Sequence, residues 1–346
     1  MTAIVDTPEE GEALDQPPLL VLRPLERFFD EQGLGEGKIT AEPVGDGHSN
    51  VTYLVRRHGG VWVLRRPPRP PLPPSAHDVL REARLLRALA TTTVRVPKVL
   101  ATCDDERVIG APFYVMERVE GTVINTTLPD GLTPTRAGDE LIDALVEVHA
   151  TDWQACGLEG FGKPTGYLAR QVRRFTGLWE HNATRRIPAL DEVTAWLGAN
   201  LPESGPATIV HGDYRLGNVM FTGDRLSAIF DWELATIGDP LADVGYLLAT
   251  WAQAGDPEST IASLTTVTRQ PGFPTRDDLV ARYEERSGRS MQALAWYTTL
   301  ALWKSAIFLE GSYKRRLAGT TEDAFFDRLK EGVPEIAERA RATALG

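Results

Sequence analysis

Residues 209–245 read IVHGDYRLGNVMFTGDRLSAIFDWELATIGDPLADVG, and the punctuation of this stretch decides the fold. An apolar pair, Ile209 and Val210, delivers His211-Gly212-Asp213, and Asn218 stands five residues after that Asp. Val219 and Phe221 then lead to a Thr222-Gly223-Asp224 turn, and a second apolar run, Leu226 to Phe230, ends in Asp231. Turn residues between two such runs predict a β-hairpin. The hairpin gathers Asp213, Asn218 and Asp231 at the ends of paired strands. Two carboxylates and an amide oxygen are hard donors, and magnesium takes a few of these while leaving room for phosphate oxygens and water.

His211-x-Asp213-x4-Asn218 followed by Asp231 resembles the catalytic loop and metal-binding Asp of the protein-kinase-like superfamily. The flanking HGDYRLGN, FDWE and GDPLAD resemble, more narrowly, the aminoglycoside phosphotransferase and choline kinase-like family. Within it they look closest to the kinase-like domains fused to acyl-CoA dehydrogenases. The resemblance spans residues 37–320. It implies an α+β, bilobal kinase-like fold, with a nucleotide-binding N-lobe of antiparallel sheet plus helix over residues 19–118. A mostly helical C-lobe, residues 119–346, is to carry the catalytic loop, metal site and acceptor pocket. Residues 1–18 are acidic and proline-bearing with little apolar content, which predicts a flexible tail.

Composition bounds the rest. A chain of 346 residues with 42% hydrophobic and 25% charged residues buries a sizeable core without difficulty. A net charge of −11 argues against a nucleic-acid partner, whose phosphates call for a basic face. Cys103 and Cys156 give neither a disulfide framework nor metal-ligand spacing, and no signal-peptide pattern opens the chain, so the cytoplasm is the expected compartment. The most apolar stretch, residues 291–309, is broken by Gln292, Thr298, Thr299, Lys304 and Ser305; it predicts a buried helix and no membrane partner.

Upstream, residues 22–33 have a short helical pattern. Val51, Tyr53 and Val55 alternate, His58-Gly59-Gly60 turns, and Val61, Val63 and Arg65 alternate again, a second hairpin. Ahead of it lies Gly45-Asp46-Gly47-His48-Ser49-Asn50, where glycines let backbone amides approach phosphate and Ser49 and Asn50 add donors. In the resemblance this is the nucleotide-covering loop, without the third glycine of protein kinases. Arg65 stands where the family's strand lysine contacts the nucleotide phosphates. Arginine keeps the charge with a different reach; Arg65 is preferred over Arg66 because it shares the face of Val63. The proline-rich residues 67–74 are a stiff connector. A helix over 79–89 offers Glu82, which in the family pairs with the strand cation. Residues 114–121 resemble the hinge, where backbone groups of Glu117 and Val119 would bond adenine. Further strands are expected at 97–100 and 113–116, and helices at 167–179, 190–201, 241–251, 279–287 and 290–309. His149, at the end of the Leu141, Leu145, Val148 stripe, reads as a packed helix residue.

The resemblance implies ATP or GTP and Mg2+ as cofactors. Asp213 would receive or orient the proton of a substrate hydroxyl, Asn218 and Asp231 would hold the metal, and Arg65 would act beside them in catalysis. Asp239 and Asp243 read as structural, bonding loop amides and capping the helix. Seven residues separate Asp231 from Asp239, too few for the activation segment and peptide platform of a protein kinase. The acceptor is therefore expected to be a small molecule with a hydroxyl. Arg215 in the loop, Glu233 after Asp231, and Lys304, Tyr313, Arg315 and Arg316 near the end of the last long helix are the acceptor candidates. Their cations favour a hydroxy acid or hydroxyacyl-CoA if they face the acceptor. An aminoglycoside or macrolide kinase, a non-catalytic nucleotide-binding pseudokinase and a metal-dependent phosphohydrolase stand as the other readings.

Overall fold

The computed structural model describes residues 4–45, 50–70, 72, 77–319 and 324–346. Its contacts divide the chain into two units, Met1–Glu120 and Gly121–Gly346.

The first unit holds β1 (Ile4–Val5), α1 (Pro8–Glu12), β2 (Leu20–Val21), α2 (Leu22–Glu31), β3 (Glu36–Pro43), β4 (Val51–His58), β5 (Gly60–Arg66), α3 (Val79–Leu89), β6 (Val99–Cys103) and β7 (Phe113–Glu117). β3 to β7 make an antiparallel sheet in the order β3-β4-β5-β7-β6. The expected hairpin turns at Gly59, whose φ of +101° suits glycine. Tyr53, Val55, Leu64, Phe113 and Val115 pack with Leu25, Phe28 and Phe29 of α2. Phe28 meets Phe113 edge-on at 4.9 Å. α3 begins at Asp78, whose carboxylate accepts from the Arg81 amide at 2.9 Å, a side-chain N-cap.

The expected tail is a correction. Ile4 and Val5 pair in parallel with Leu20 and Val21, and α1 starts on Pro8 behind a Thr7 cap. The physical reason lies in few but well-placed groups: Leu19 and Leu20 enter the apolar core, while Arg69 and Arg66 donate to the Pro17 and Leu19 carbonyls. Residues 17–20 are thereby tied down despite the acidic composition before them.

The second unit holds β8 (Thr122–Val123), α4 (Pro134–Ala150), α5 (Tyr167–Asn182), α6 (Pro188–Ala199), β9 (Thr208–Val210), β10 (Val219–Thr222), β11 (Arg225–Ile229), β12 (Thr236–Gly238), α7 (Leu241–Thr250), α8 (Arg276–Ser287), α9 (Leu294–Leu317) and α10 (Leu329–Leu345). β10 and β11 are the expected hairpin, extended by β8; β9 pairs instead with β12, a strand the sequence did not announce. The helical core is built by α5, α6, α9 and α10 around Trp303, Leu300, Leu302 and Ile307. α8 opens with a reciprocal capping box between Thr275 and Asp278. α7 and α9 cross so closely at Gly245 that a Cβ there would lie 2.5 Å from the Tyr297 backbone. α9 runs past the expected end at Leu309, and Glu310 beyond it is fully buried, accepting from Thr184 Oγ1 at 2.6 Å and Arg185 at 3.0 Å.

Candidate active site

In the first unit, Arg65 on β5 donates its Nε to Glu82 of α3 at 2.9 Å, and Glu82 is buried. Strand alternation sends Arg66 to the other face. There it donates to the carbonyls of Pro67 (2.8 Å), Ile109 (3.1 Å) and Leu19, and burial pushes its guanidinium down to about 10. Arg66 is a structural tie, and Arg65 is the cation that meets the helix carboxylate. Of the expected phosphate loop, Gly47 and Ser49 lie outside the described residues. Gly45 has φ +79°, and Asn50 is buried with its amide oxygen 3.2 Å from His77 Nδ1. At the expected hinge the Glu117 amide donates to the Lys98 carbonyl at 3.0 Å, so that donor is already used within the sheet.

In the second unit the sequence motif folds into a continuous hydrogen-bonded loop. β9 ends at Val210, and His211 is fully buried, donating Nε2–H to the Phe230 carbonyl (2.8 Å) and accepting the Asp213 amide at Nδ1 (3.2 Å). Its ring lies on Trp232 with centroids 4.5 Å apart. One imidazole thus couples the 211–218 loop to Phe230, the residue just before Asp231. Asn218, in a short 3-10 turn, donates Nδ2 to the Asp213 carbonyl (2.8 Å) and to its carboxylate (2.7 Å). Arg215 Nε stands 3.7 Å from the other Asp213 oxygen. The Asp213 carboxylate is therefore aimed by Asn218 of the loop together with the Tyr246 hydroxyl of α7, which also bonds to it.

Asp231 is one of only two non-glycine residues at positive φ among those described, at φ +64° and ψ +56°. That left-handed conformation costs an ordinary residue free energy and is least costly for Asp and Asn. It turns the chain out of β11 and directs the carboxylate at the hairpin's end. With the Asn218 nitrogen donating to Asp213, the Asn218 amide oxygen is left as the group that can accept or ligate. Among the described residues no three His, Cys, Asp or Glu side chains are grouped to hold an ion alone. Asn218 and Asp231 fit a hard cation that completes its shell from phosphate and water, as magnesium does.

A buried network beneath the loop escaped the sequence reading. Asp243 of α7 has no solvent exposure, and its carboxylate accepts the amides of His211 (2.7 Å) and Gly212 (2.8 Å). His149 Nε2 lies 3.1 Å from the same carboxylate, and its Nδ1 lies 2.6 Å from the Tyr283 hydroxyl. Burial lowers the His149 pKa, so the ring is neutral, with Nε2–H donating to Asp243 and Nδ1 accepting from Tyr283. Burial would raise Asp243, but bonds from His149 and the Gly212 amide outweigh it and hold the carboxylate below its ordinary range. Asp243 and Asp239 play the expected structural parts: Asp239 accepts from the Leu241 amide at 3.1 Å and from Tyr297 Oη at 2.8 Å. His149 does more than pack. The readable signal was a polar residue at the end of an apolar helical stripe.

The acceptor candidates separate. Arg215 and Glu233 adjoin Asp213 and Asp231 in the chain, and Lys304 is partly buried on α9 with its ammonium 4.8 Å from the Phe175 centroid. Asp213 and Asp243 both act on the Lys304 charge. Tyr313 is instead covered by the Arg185 guanidinium at 4.8 Å, and Arg316 is paired to Asp327 at 2.8 Å. Arg315 donates to Ser312 at 2.9 Å.

This arrangement of loop, hairpin and helices is matched by known proteins. The model of the phosphotransferase enzyme family fits residues 40–296, and the chain belongs to that family. Acyl-CoA dehydrogenase family member 10 of Mus musculus is 36% identical over 301 residues, which cover 84% of this chain but 28% of that protein. The chain thus spans under a third of this relative's length. A Ralstonia eutropha protein named as a candidate aminoglycoside phosphotransferase superposes with a TM-score of 0.79 at 32% identity, covering 93% of this chain and 97% of the other. Aminoglycoside phosphotransferase APH(4)-Ia, in a ternary complex with AMP-PNP and hygromycin B, shares the fold alone: TM-score 0.63, 17% identity, 94% and 99% covered. The fold is the α+β, kinase-like one, an antiparallel sheet unit followed by a mostly helical unit.

Proposed function

We propose that this chain is an ATP- and magnesium-dependent small-molecule kinase that transfers the γ-phosphoryl group to an acceptor hydroxyl. The observation that carries the reading is the Asp213 carboxylate, fixed by Asn218 at 2.7 Å in a loop that Asp243 anchors from below. Asp213 orients the acceptor hydroxyl and receives its proton as the oxygen attacks phosphorus. Arg65, held by Glu82, binds the nucleotide phosphates, with Gly45 and Asn50 of the glycine-rich loop as further contacts. Magnesium, when bound at Asn218 and Asp231, supplies positive charge against the transferring phosphoryl. Arginine in place of the strand lysine motivates a second reading, a nucleotide-binding pseudokinase; the intact Asp213, Asn218 and Asp231 favour the enzyme. A hydroxy acid or hydroxyacyl thioester is the acceptor class placed first, ahead of aminoglycosides and macrolides, and the cytoplasm is the compartment.

The test is ADP release with Mg-ATP across hydroxylated acceptors, beside calorimetric nucleotide binding. Asp213→Ala is expected to lose acceptor-dependent release by about 100-fold or more while still binding Mg-ATP. Asp231→Ala is expected to lose magnesium-dependent nucleotide binding itself. Equal turnover of Asp213→Ala and wild type would sink the proposal.

A further inference from the structure

Two cations of the helical unit share one aromatic ring. Lys304 of α9 places its ammonium 4.8 Å from the Phe175 centroid, and the Arg174 guanidinium of α5 lies 6.0 Å from the same centroid. Among the described residues neither forms an ion pair within 4 Å, unlike Arg185, Arg276 and Arg282 on the same unit. Burial, then the Arg174 charge, pushes the Lys304 ammonium down to about 8, while Asp243 and Asp213 act in the other sense. Lys304 is the partly buried charge of the two, and Arg174, exposed on α5, adds like charge beside it; a partly desolvated cation is unfavourable until a counter-charge arrives. The ring face offsets only part of that cost.

We infer that Lys304 and Arg174, seated on Phe175, form the subsite that holds an anionic group of the acceptor. This deepens the kinase reading and rests on it for the word acceptor. The ligand chemistry is a carboxylate or phosphate on a hydroxyl-bearing molecule. The same two charges disfavour a polycation. Tyr313, Arg315 and Arg316 take no part, because Arg185, Ser312 and Asp327 already engage them.

The experiment is calorimetric binding to the full chain with Mg-AMP-PNP present. Its probes are 3-hydroxybutyrate, 3-hydroxybutyryl-CoA, inorganic phosphate, methyl 3-hydroxybutyrate and kanamycin. Free carboxylate and carrier phosphate are told apart by the first two. At least one anionic probe is expected to bind wild type and to weaken about ten-fold or more in Lys304→Met, the loss of a charge-assisted contact. Arg174→Met should weaken it less, and Lys304→Arg should keep most of the affinity, which separates lost charge from misfolding. Unchanged affinity in Lys304→Met, no anionic probe binding wild type, or kanamycin binding tighter than the anions would each overturn the subsite. Anion binding without transfer to any acceptor would instead overturn the kinase reading and leave the subsite standing. Transfer with an acceptor KM unmoved in Lys304→Met would do the reverse.

Discussion

At the residue scale, Gly212 shows how much of the site depends on backbone rather than side chains. Its φ is +89°, and a Cβ there would lie 2.9 Å from Leu234 Cβ and 3.0 Å from the Leu234 carbonyl oxygen. The same residue donates its amide to Asp243 and precedes Asp213, so strain introduced here is transmitted to the proposed base. Gly212→Ala is expected to cost about 1–3 kcal/mol of stability and to lower kcat while leaving the KM for ATP near its original value. Denaturant unfolding and steady-state kinetics check it; a stable, fully active variant would contradict the account. Glycine in H-G-D was visible in the sequence, but the clash that demands it comes from a residue 22 positions later.

At the scale of elements, α4, α7 and α8 meet through His149, Asp243 and Tyr283 and so carry the loop that follows β9. This network makes stability depend on pH with a defined sign. His149 is held neutral below its ordinary pKa, so on acidification from about pH 6.5 the unfolded chain binds a proton that the folded chain refuses. Stability from this group is therefore present above that range and declines as pH falls, by up to about 1.4 kcal/mol per pH unit. Asp243, held low, loses its share only in more acid solution. Urea unfolding of wild type between pH 7.5 and 5.5 should show the decline, and His149→Gln should flatten it, with a lower stability at neutral pH. Parallel pH profiles for the two proteins would rule out His149 as the source.

For the whole molecule, the proposed ligand provides a stability test that needs no acceptor. A ligand that binds only the folded chain stabilises it by about 2.7 kcal/mol at a hundred-fold excess over Kd. Mg-ATP should therefore raise the melting temperature by several degrees, EDTA should abolish the rise, and Asp231→Ala should not show it. An equal rise with and without magnesium would argue against metal at Asn218 and Asp231. No helix of the described residues is long and apolar enough to cross a membrane, in keeping with the broken apolarity of α9. Local order in the chain was enough for much of this. The two hairpins, α3, and the order of His211, Asp213, Asn218 and Asp231 are fixed by turn residues, periodicity and spacing within a few positions, and these are short-range properties that a sequence states directly. Tertiary structure decided the rest. It ordered residues 4–21 through Arg66 and Arg69, paired β9 with β12, carried α9 past a buried Glu310, and joined His149 to Asp243 across 94 residues. Each of these turns on whether a polar group is buried and finds a partner far along the chain, and burial is a property of the packed molecule rather than of any stretch of it.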